Sequence, residues 1–424
     1  MFHSPKRPTP SMASTDRIVS CQQDVGRQIA RRKMPLWADT PGITYPPRLS
    51  MEQCSSQAAA EYKRAVVRSI LQATANHSLE ASLHSEATAP ATSFTDLTGG
   101  LAVDFSFLAP LFRTATYVER NADLCDLARH NLPLLLPHTL YNIVNDEAER
   151  ILPTLPRQTL IFLDPARRDA AGRKVFLTAD CQPDVVTLHD TLTGHADNVL
   201  IKLSPMLDLH DALRSLPTAT QAHILEIGGE VKELLILLQP RDARPEISSI
   251  PIICADASKD RAAASKTSLE GTSEETPEVI SEGCKGVPFV FTFEEEANAA
   301  VTYTATLDTY LYEPAPRIMK GGAFRTIAAR YALKKLHPDT HLYTSDTLHT
   351  DFPGRILRVL AVSSLRETQR QMKRVTQANV VCRNFPAKPD ALKQRLRLRD
   401  GGDTYLYATT LADNSHVIIT ATHT

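Results

Sequence analysis

Between residues 93 and 227 the chain alternates short apolar runs, rich in β-branched residues, with stretches of helix-forming residues. Each apolar run is short enough for a strand and ends at turn-forming residues. Parallel strands need such intervening helices, because every crossover has to cover one face of the sheet. The predicted strands are 93–97, 114–119, 139–144, 159–163, 198–203 and 222–227. The pattern predicts an α/β fold with a Rossmann-like, doubly wound sheet.

The segment before this sheet has a different character. Residues 1–90 lack strand alternation, and residues 55–74 are rich in good helix formers with apolar residues at helical spacing. A helical N-terminal domain is therefore expected. Within it, residues 40–48 are broken by prolines. Residues 45–48, together with Glu52, Gln53, Ser55 and Ser56, have two possible roles: a lid over a ligand, or, the favoured one, a packing element between domains.

The segments after the sheet predict two further parts. Residues 256–287 are mostly small and polar without apolar periodicity, which indicates a flexible insertion. Residues 288–424 combine predicted strands with one predicted helix at 324–336, which is typical of a small α+β region. The strands are expected at 288–293, 299–305, 355–362 and 417–420. The predicted division is thus 1–90, 91–255, 256–287 and 288–424.

Composition excludes several classes of protein. The seven cysteines are scattered, without a CxxC spacing, which argues against a disulfide scaffold and a structural zinc site, so no metal is expected. No apolar run reaches the ~18 residues of a membrane span, and the N-terminus lacks the apolar core of a signal peptide. These features predict a cytoplasmic protein with no membrane partner.

Polar and acidic residues follow four of the predicted strands at the point where each strand ends. Asp96 precedes the turn Thr98-Gly99-Gly100, Glu119 follows the second strand, Asp146 the third, and Asp164-Pro165 the fourth. In an open α/β sheet the ligand lies at the carboxyl ends of the strands. Glycine in the first turn lets the backbone approach a ligand closely. The sequence therefore predicts a nucleotide-type ligand at this edge.

Two classes of nucleotide-using enzyme fit such a sheet. A Rossmann dehydrogenase needs GxGxxG at the first turn to hold a pyrophosphate, and residues 98–103 do not have that spacing. The order of four motifs instead resembles class I S-adenosylmethionine-dependent methyltransferases. Residues 96–104 with 117–121 are similar to the small-subunit rRNA guanine-N2 methyltransferase family, and the whole chain, including residues 45–56 and 401–407, resembles bacterial methyltransferases with a C-terminal THUMP-like domain.

This resemblance implies S-adenosylmethionine as the cofactor. It places Asp96, Thr98, Gly99 and Gly100 around the amino acid and ribose of that cofactor. It further implies that Glu119 binds the ribose hydroxyls and that Asp146 approaches the adenine amine. The chain departs from the family pattern DxGxGxG, because Thr98 and Ala102 occupy two of the three glycine positions. The order of the four motifs, rather than the glycine turn alone, supports the assignment.

The resemblance also implies the reacting position. In amino-group methyltransferases an Asp/Asn-Pro-Pro-aromatic segment holds the target amine, and Asp164 and Pro165 are predicted as the catalytic pair. The second proline and the aromatic residue are missing, since Ala166 and Arg167 follow. Arg167, Arg168 and Lys202 are candidate substrate contacts by charge and position. A solvated basic loop and a structural lysine are the competing interpretations.

The C-terminal part of the chain is basic. Residues 317–399 hold 18 Lys and Arg against five Asp and Glu, and such a surplus attracts phosphate. The candidate RNA contacts on the predicted helix are Arg325, Arg330, Lys334 and Lys335. A THUMP-like domain implies RNA by analogy, so an rRNA or tRNA substrate is expected, methylated on a base. The sequence says nothing of oligomeric state.

Two other readings of the chain stay open at this stage. One is a nucleic-acid-binding module of methyltransferase fold that has lost catalysis, motivated by the altered glycine turn. The other is a methyltransferase that acts on a protein or a small molecule.

Overall fold

The computed structural model describes residues 12–82, 92–166, 181–240, 245–258, 284 and 286–424. The chain forms two compact units. The first comprises residues 1–227, 232–245 and 255–288, and the second comprises residues 228–231, 246–254 and 289–424. Among the helices of the described residues, none is both long enough and apolar enough to cross a membrane.

The first unit begins with four helices. They are α1 (Met12–Lys33), α2 (Pro35–Asp39), α3 (Arg48–Gln53) and α4 (Gln57–Ser82). The loop before α3 is fixed by polar contacts with α1: the side-chain amide of Gln23 accepts the N–H of Tyr45 at 2.8 Å and donates to its carbonyl at 2.9 Å. The buried Tyr45 ring lies so close to Gly26 that a Cβ there would be 2.3 Å from the Tyr45 Cβ. The segment 45–56 therefore packs against the helices through these contacts.

In the first unit, the strands lie side by side in the order β3-β2-β1-β4-β5-β7-β6. The strands are β1 (Ser93–Asp96), β2 (Thr114–Val118), β3 (Tyr141–Val144), β4 (Leu160–Leu163), β5 (Val199–Leu203), β6 (Ala219–Ile227) and β7 (Glu230–Leu238). Neighbouring strands from β3 to β5 are parallel, and β7 runs antiparallel to β5. The predicted doubly wound α/β sheet is confirmed, and β7 is a strand that the sequence analysis did not predict.

Helices cover this sheet along the chain. They are α5 (Val103–Leu108), α6 (Ala122–Leu135), α7 (Ala148–Ile151), α8 (His189–His195) and α9 (Leu209–Ser215). Strands β4 and β5 lie centrally, which explains why Leu160–Leu163 is fully buried and continuously apolar. The strand order changes direction between β1 and β4. This switch point brings the loops after β1 and β4 together at one edge.

The second unit contains an antiparallel pair, β8 (Ile252–Asp256) with β9 (Phe289–Phe291), and an eight-stranded sheet. The sheet order is β10-β12-β13-β11-β14-β17-β16-β15. Its strands are β10 (Thr302–Tyr303), β11 (Tyr310–Pro314), β12 (Lys334–His337), β13 (Thr340–Ser345), β14 (Gly354–Ser363), β15 (Asn379–Arg383), β16 (Thr404–Thr410) and β17 (His416–His423). Its helices are α10 (Phe293–Asn298), α11 (Pro316–Gly321), α12 (Phe324–Arg330), α13 (Leu365–Gln371) and α14 (Pro389–Leu396). The predicted α+β character is confirmed.

Three predicted elements of the second unit are wrong in extent. The strand predicted at 299–305 comprises only Thr302–Tyr303. The helix predicted at 324–336 ends at Arg330, because Ala332 has a positive φ of 49° and Lys334–His337 then pairs with β13 as a strand. The strand predicted at 288–293 ends at Phe291, since Thr292 caps α10 through reciprocal hydrogen bonds with Glu295. Most of the predicted insertion 256–287 lies outside the described residues.

Candidate active site

The turn after β1 is packed tightly against β2. Gly99 donates its N–H to the Val118 carbonyl at 2.8 Å, and a Cβ on Gly99 would lie 2.1 Å from Cε2 of Tyr117. The Tyr117 hydroxyl donates to the Gly100 carbonyl at 2.6 Å, and Gly100 has a positive φ of 53°. Glycine is required at position 99 because the buried Tyr117 ring occupies the space of a side chain. The ring thus holds the turn at the carboxyl edge of the sheet.

Asp96 ends β1 directly beneath this turn and is 1% exposed. Its Oδ1 accepts the N–H of Thr98 at 2.9 Å. Burial raises the pKa of the Asp96 carboxyl well above its usual range, against the opposing effect of that hydrogen bond, and the carboxylates of Asp104 and Asp164 raise it further.

Glu119 follows β2 and bridges two loops at the same edge. Its Oε2 accepts the N–H of Gly100 at 3.0 Å, and its Oε1 accepts the N–H of Asn121 at 2.8 Å. The side-chain amide of Asn145, just after β3, donates to the Glu119 carbonyl at 2.8 Å. The next residue, Asp146, is partly exposed and pairs with Arg150 at 2.9 Å. The loops after β1, β2 and β3 are therefore joined by hydrogen bonds.

Asp164 follows β4 and lies next to the glycine turn. Its N–H donates to the Thr98 hydroxyl at 2.6 Å, and one carboxylate oxygen accepts from Nζ of Lys202, which lies on β5. The Asp164 side chain is 37% exposed, whereas the Lys202 side chain is 12% exposed. Burial alone would lower the pKa of Lys202, but the carboxylates of Asp164 and Glu233 raise it above its usual range. The pair is therefore ionic and turned partly toward solvent.

Behind this pair lies a buried group of charged side chains that the sequence analysis did not predict. Nζ of Lys63, on α4, lies 2.6 Å from Glu233 and 3.0 Å from Asp104. Oε1 of Glu233 is in turn 3.9 Å from Nζ of Lys202. Ser55 donates to Asp104 at 2.6 Å. We call these residues together with Asp164 the buried charge chain; it links an N-terminal helix to the end of β4.

The structure brings together most of the candidate residues of the first unit. Asp96, Thr98, Gly99, Gly100, Glu119 and Asp164 share one hydrogen-bonded edge, with Pro165 directly after Asp164. Lys202 joins them through its pair with Asp164, and Asp146 lies in the adjacent loop after β3. Arg167 and Arg168 lie outside the described residues. Lys63 and Glu233 carried no motif, since a single lysine in a helix normally indicates a solvated face.

The four basic residues predicted to contact RNA have partners inside the second unit. Arg330 pairs with Glu295 at 3.1 Å and lies over the Phe289 ring, and Lys334 pairs with Asp308 at 3.0 Å. Arg325 donates to the Ala297 carbonyl at 2.9 Å. Lys335 is 3% exposed and donates to the Pro338 carbonyl at 2.6 Å. Arg330 and Lys334 are therefore each paired with one carboxylate of the same unit.

Comparison with known proteins shows which family the chain belongs to. Residues 310–353 match a ferredoxin-like domain family, and residues 354–423 match a THUMP-like domain family. Two Mycobacterium tuberculosis proteins, from strains CDC 1551 and H37Rv, are each 24% identical over 306 residues, which is 70% of this chain and 71% of theirs. Both are named uncharacterized S-adenosylmethionine-dependent methyltransferases. The crystal structure of a candidate methyltransferase from Porphyromonas gingivalis W83 is 33% identical, with a TM-score of 0.78, over 98% of this chain and 92% of that one.

The chain belongs to the S-adenosylmethionine-dependent methyltransferases with a C-terminal THUMP-like domain. The comparisons therefore confirm two predictions made from the sequence: the family resemblance, and S-adenosylmethionine as the cofactor.

The described residues at the carboxyl edge fit that cofactor chemically. S-adenosylmethionine carries an ammonium, a sulfonium and ribose hydroxyls. Its site therefore requires hydrogen-bond acceptors and negative charge rather than a loop that binds a pyrophosphate. The carboxyl oxygens of Asp96, Glu119 and Asp164 would supply such acceptors, and the glycine turn offers backbone without a side chain in the way. Within the described residues, no group of three or more His, Cys, Asp or Glu side chains is arranged to hold a metal ion.

Proposed function

We propose that this methyltransferase transfers a methyl group to a base of RNA, either ribosomal or transfer RNA. The observation that carries the proposal is the half-exposed Asp164 carboxylate at the carboxyl edge of the sheet, held by Thr98 and Lys202. A carboxylate at that position accepts hydrogen bonds from an amine and can stabilise positive charge on it. Base amines are groups of this kind.

In this proposal the residues after the first three strands hold the cofactor. Asp96, Thr98, Gly99 and Gly100 would contact its amino acid and ribose, Glu119 its ribose hydroxyls and Asp146 its adenine. When bound, S-adenosylmethionine supplies an activated methyl group on a cationic sulfur. The buried Asp96 would offer a carboxyl oxygen as hydrogen-bond acceptor, and Gly99 and Tyr117 keep the turn in one conformation. These residues bind and orient rather than react.

Asp164 and Pro165 would position the target base. A neutral exocyclic amine gains positive charge on nitrogen as its bond to the methyl carbon forms and the bond between that carbon and sulfur breaks, which leaves a neutral thioether. The Asp164 carboxylate would stabilise this charge until the nitrogen gives up one proton, to Asp164 or to water. One Asp164 oxygen is bound by Lys202, so the side chain has a single orientation before substrate arrives. Lys202 is thus a positioning residue in this proposal, and Glu233, which is itself paired with Lys63, lies behind it.

RNA as the substrate class is supported by the second unit. Residues 354–423 match a THUMP-like domain family, and residues 317–399 carry a surplus of 13 positive charges. A surplus of this size favours a polyanion over a neutral small molecule. The division into a helical domain at 1–90, a methyltransferase domain at 91–255, an insertion at 256–287 and a THUMP-like region at 288–424 stays a prediction.

The test is transfer of labelled methyl groups from S-adenosylmethionine to total RNA from a strain lacking this enzyme. Wild type is expected to label an RNA species in an RNase-sensitive, protease-resistant product. Asp164→Asn, which keeps the size of the side chain, is expected to lower turnover at least 100-fold, with cofactor affinity within threefold of wild type. Labelling of protein or of small molecules alone would refute the RNA proposal. Full activity of Asp164→Asn would refute the role of that residue.

A further inference from the structure

The second unit contains a group of four residues that no part of the proposed active site uses. Glu313, on β11, accepts hydrogen bonds from Arg355 at 3.2 Å, from Arg383 at 2.8 Å and from the Tyr407 hydroxyl at 2.6 Å. Arg355 lies on β14, Arg383 at the end of β15 and Tyr407 on β16. We call these residues the two-arginine cluster. It carries two positive charges against one negative charge.

The cluster is rigidly built around one carboxylate. The Glu313 side chain is only 12% exposed, and Tyr407 is fully buried. Oε1 of Glu313 accepts both Nε and Nη2 of Arg383, while Oε2 accepts Nη1 of Arg355 and the Tyr407 hydroxyl. Four donors fill the acceptor positions of a carboxylate. Glu313 is therefore saturated, and both guanidinium planes are fixed in direction.

The two guanidinium groups still have donors to offer. The side chains of Arg355 and Arg383 are 44% and 46% exposed. Among the described residues, Nε and Nη2 of Arg355 and Nη1 of Arg383 receive no hydrogen-bond partner. A guanidinium presents its N–H groups in a flat fork that matches phosphate oxygens. Arg355 therefore keeps its Nε/Nη2 fork for a ligand, and Arg383 keeps the donors of Nη1, with both groups anchored on one carboxylate.

An aromatic ring borders the cluster. The Arg355 guanidinium lies over the Tyr405 ring at 5.2 Å from its centroid, and the Tyr405 hydroxyl is 3.0 Å from Nε2 of His423. This cation–π contact restrains the Arg355 guanidinium a second time, in addition to its hydrogen bond with Glu313.

The charge balance distinguishes this cluster from the other basic residues of the unit. Arg330 and Lys334 are each matched by a single carboxylate. In the two-arginine cluster one carboxylate serves two arginines, which leaves one net positive charge on partly exposed groups. We propose that Arg355 and Arg383 together bind a backbone phosphate of the substrate RNA. This inference rests on the proposed function.

The test measures equilibrium binding of unfractionated bacterial tRNA and ribosomal RNA to the full-length protein over a range of salt concentrations. The double variant Arg355→Gln/Arg383→Gln is expected to bind at least tenfold more weakly than wild type. Its dependence of log affinity on log salt concentration should be shallower by about one, as expected for one lost phosphate contact. The double variant Arg355→Lys/Arg383→Lys keeps both positive charges but lacks the planar guanidinium donors. It should therefore retain the salt dependence of wild type and bind RNA several-fold more weakly.

Arg129→Gln is the matched control, because Arg129 has a similar exposure of 50% and its own carboxylate partner, Asp126. It should change RNA affinity less than twofold. Unchanged cofactor affinity and unchanged thermal stability in the Gln double variant show that the protein remains folded.

The outcomes separate this inference from the proposed function. If wild type binds neither RNA, the proposed function fails together with the inference. If wild type binds RNA and the Gln double variant binds it equally well with the same salt dependence, the inference alone fails. Tight binding of inorganic phosphate that does not compete with RNA would assign the cluster to a small anion and overturn the inference.

Discussion

Lys63→Met tests whether the buried charge chain holds both the fold and Asp164 in place. Lys63 is fully buried, and its Nζ is 2.6 Å from Glu233 and 3.0 Å from Asp104. Methionine has a similar length and no charge. The substitution therefore leaves two carboxylates buried without their shared cation.

The magnitude follows from those contacts. Removing one partner of a buried ion pair costs about 3–5 kcal/mol, because the remaining charge is desolvated and unpaired. At about 2 °C per kcal/mol for a unit of this size, the midpoint of thermal unfolding should fall by roughly 6–10 °C. Arg48→Met removes an exposed ion pair with Glu52 and should cost less than about 1 kcal/mol.

The same substitution should affect catalysis. Without Lys63, Glu233 has only Lys202 as a nearby cation, at 3.9 Å, and competes with Asp164 for it. We expect kcat for methyl transfer to fall at least tenfold while the Kd for S-adenosylmethionine changes less than threefold. A variant that merely weakened the fold would lower the active fraction and leave kcat per folded molecule unchanged.

The assay combines thermal and urea unfolding with single-turnover methyl transfer for wild type, Lys63→Met, Glu233→Gln and the double variant. Removing both charges should restore part of the stability, so the double variant should be more stable than the sum of the single losses predicts. The reasoning is refuted if Lys63→Met unfolds within 1 kcal/mol of wild type. Strict additivity of the two substitutions would also refute it.

Three further predictions concern the first unit. Gly99→Ala should lower cofactor affinity at least tenfold, because its Cβ would overlap the Tyr117 ring; Gly194→Ala, where no atom lies within 4 Å, is the control for calorimetric titration. Glu119→Gln should weaken cofactor binding about tenfold in the same titration while leaving the unfolding midpoint nearly unchanged, and equal affinity would contradict a ribose contact. Burial lowers the pKa of His223 to about 4, below the ~6.5 of an unfolded chain, so its contribution to stability is present above pH 6.5 and is lost as pH falls toward 4. Urea unfolding between pH 4 and 7 should show a loss of a few kcal/mol that His223→Gln reduces, and an identical pH profile in both proteins would contradict the assignment.

Local patterns in the sequence determined the sheet of the first unit and the residues at its edge. The apolar runs that became β1 to β6 are bounded by turns. Because neighbouring parallel strands run in the same direction, the residues that follow them lie at the same edge of the sheet. Asp96, Glu119 and Asp164 could therefore be grouped from spacing alone. Gly99 was also visible, because a glycine after a strand signals close backbone contact.

The tertiary structure decided which distant residues meet. Lys63 and Glu233 are 170 positions apart in the sequence. Neither has a local signal that distinguishes a buried charged side chain from a solvated one. The residues at 334–337 satisfy a helical pattern, and pairing with β13 made them a strand. Glu313, Arg355 and Arg383 are ordinary charged residues in sequence and become one cluster only because β11, β14 and β15 belong to the same sheet. Spacing along the chain predicts local structure and the edges of strands, whereas the pairing of charges depends on contacts that only the folded chain makes.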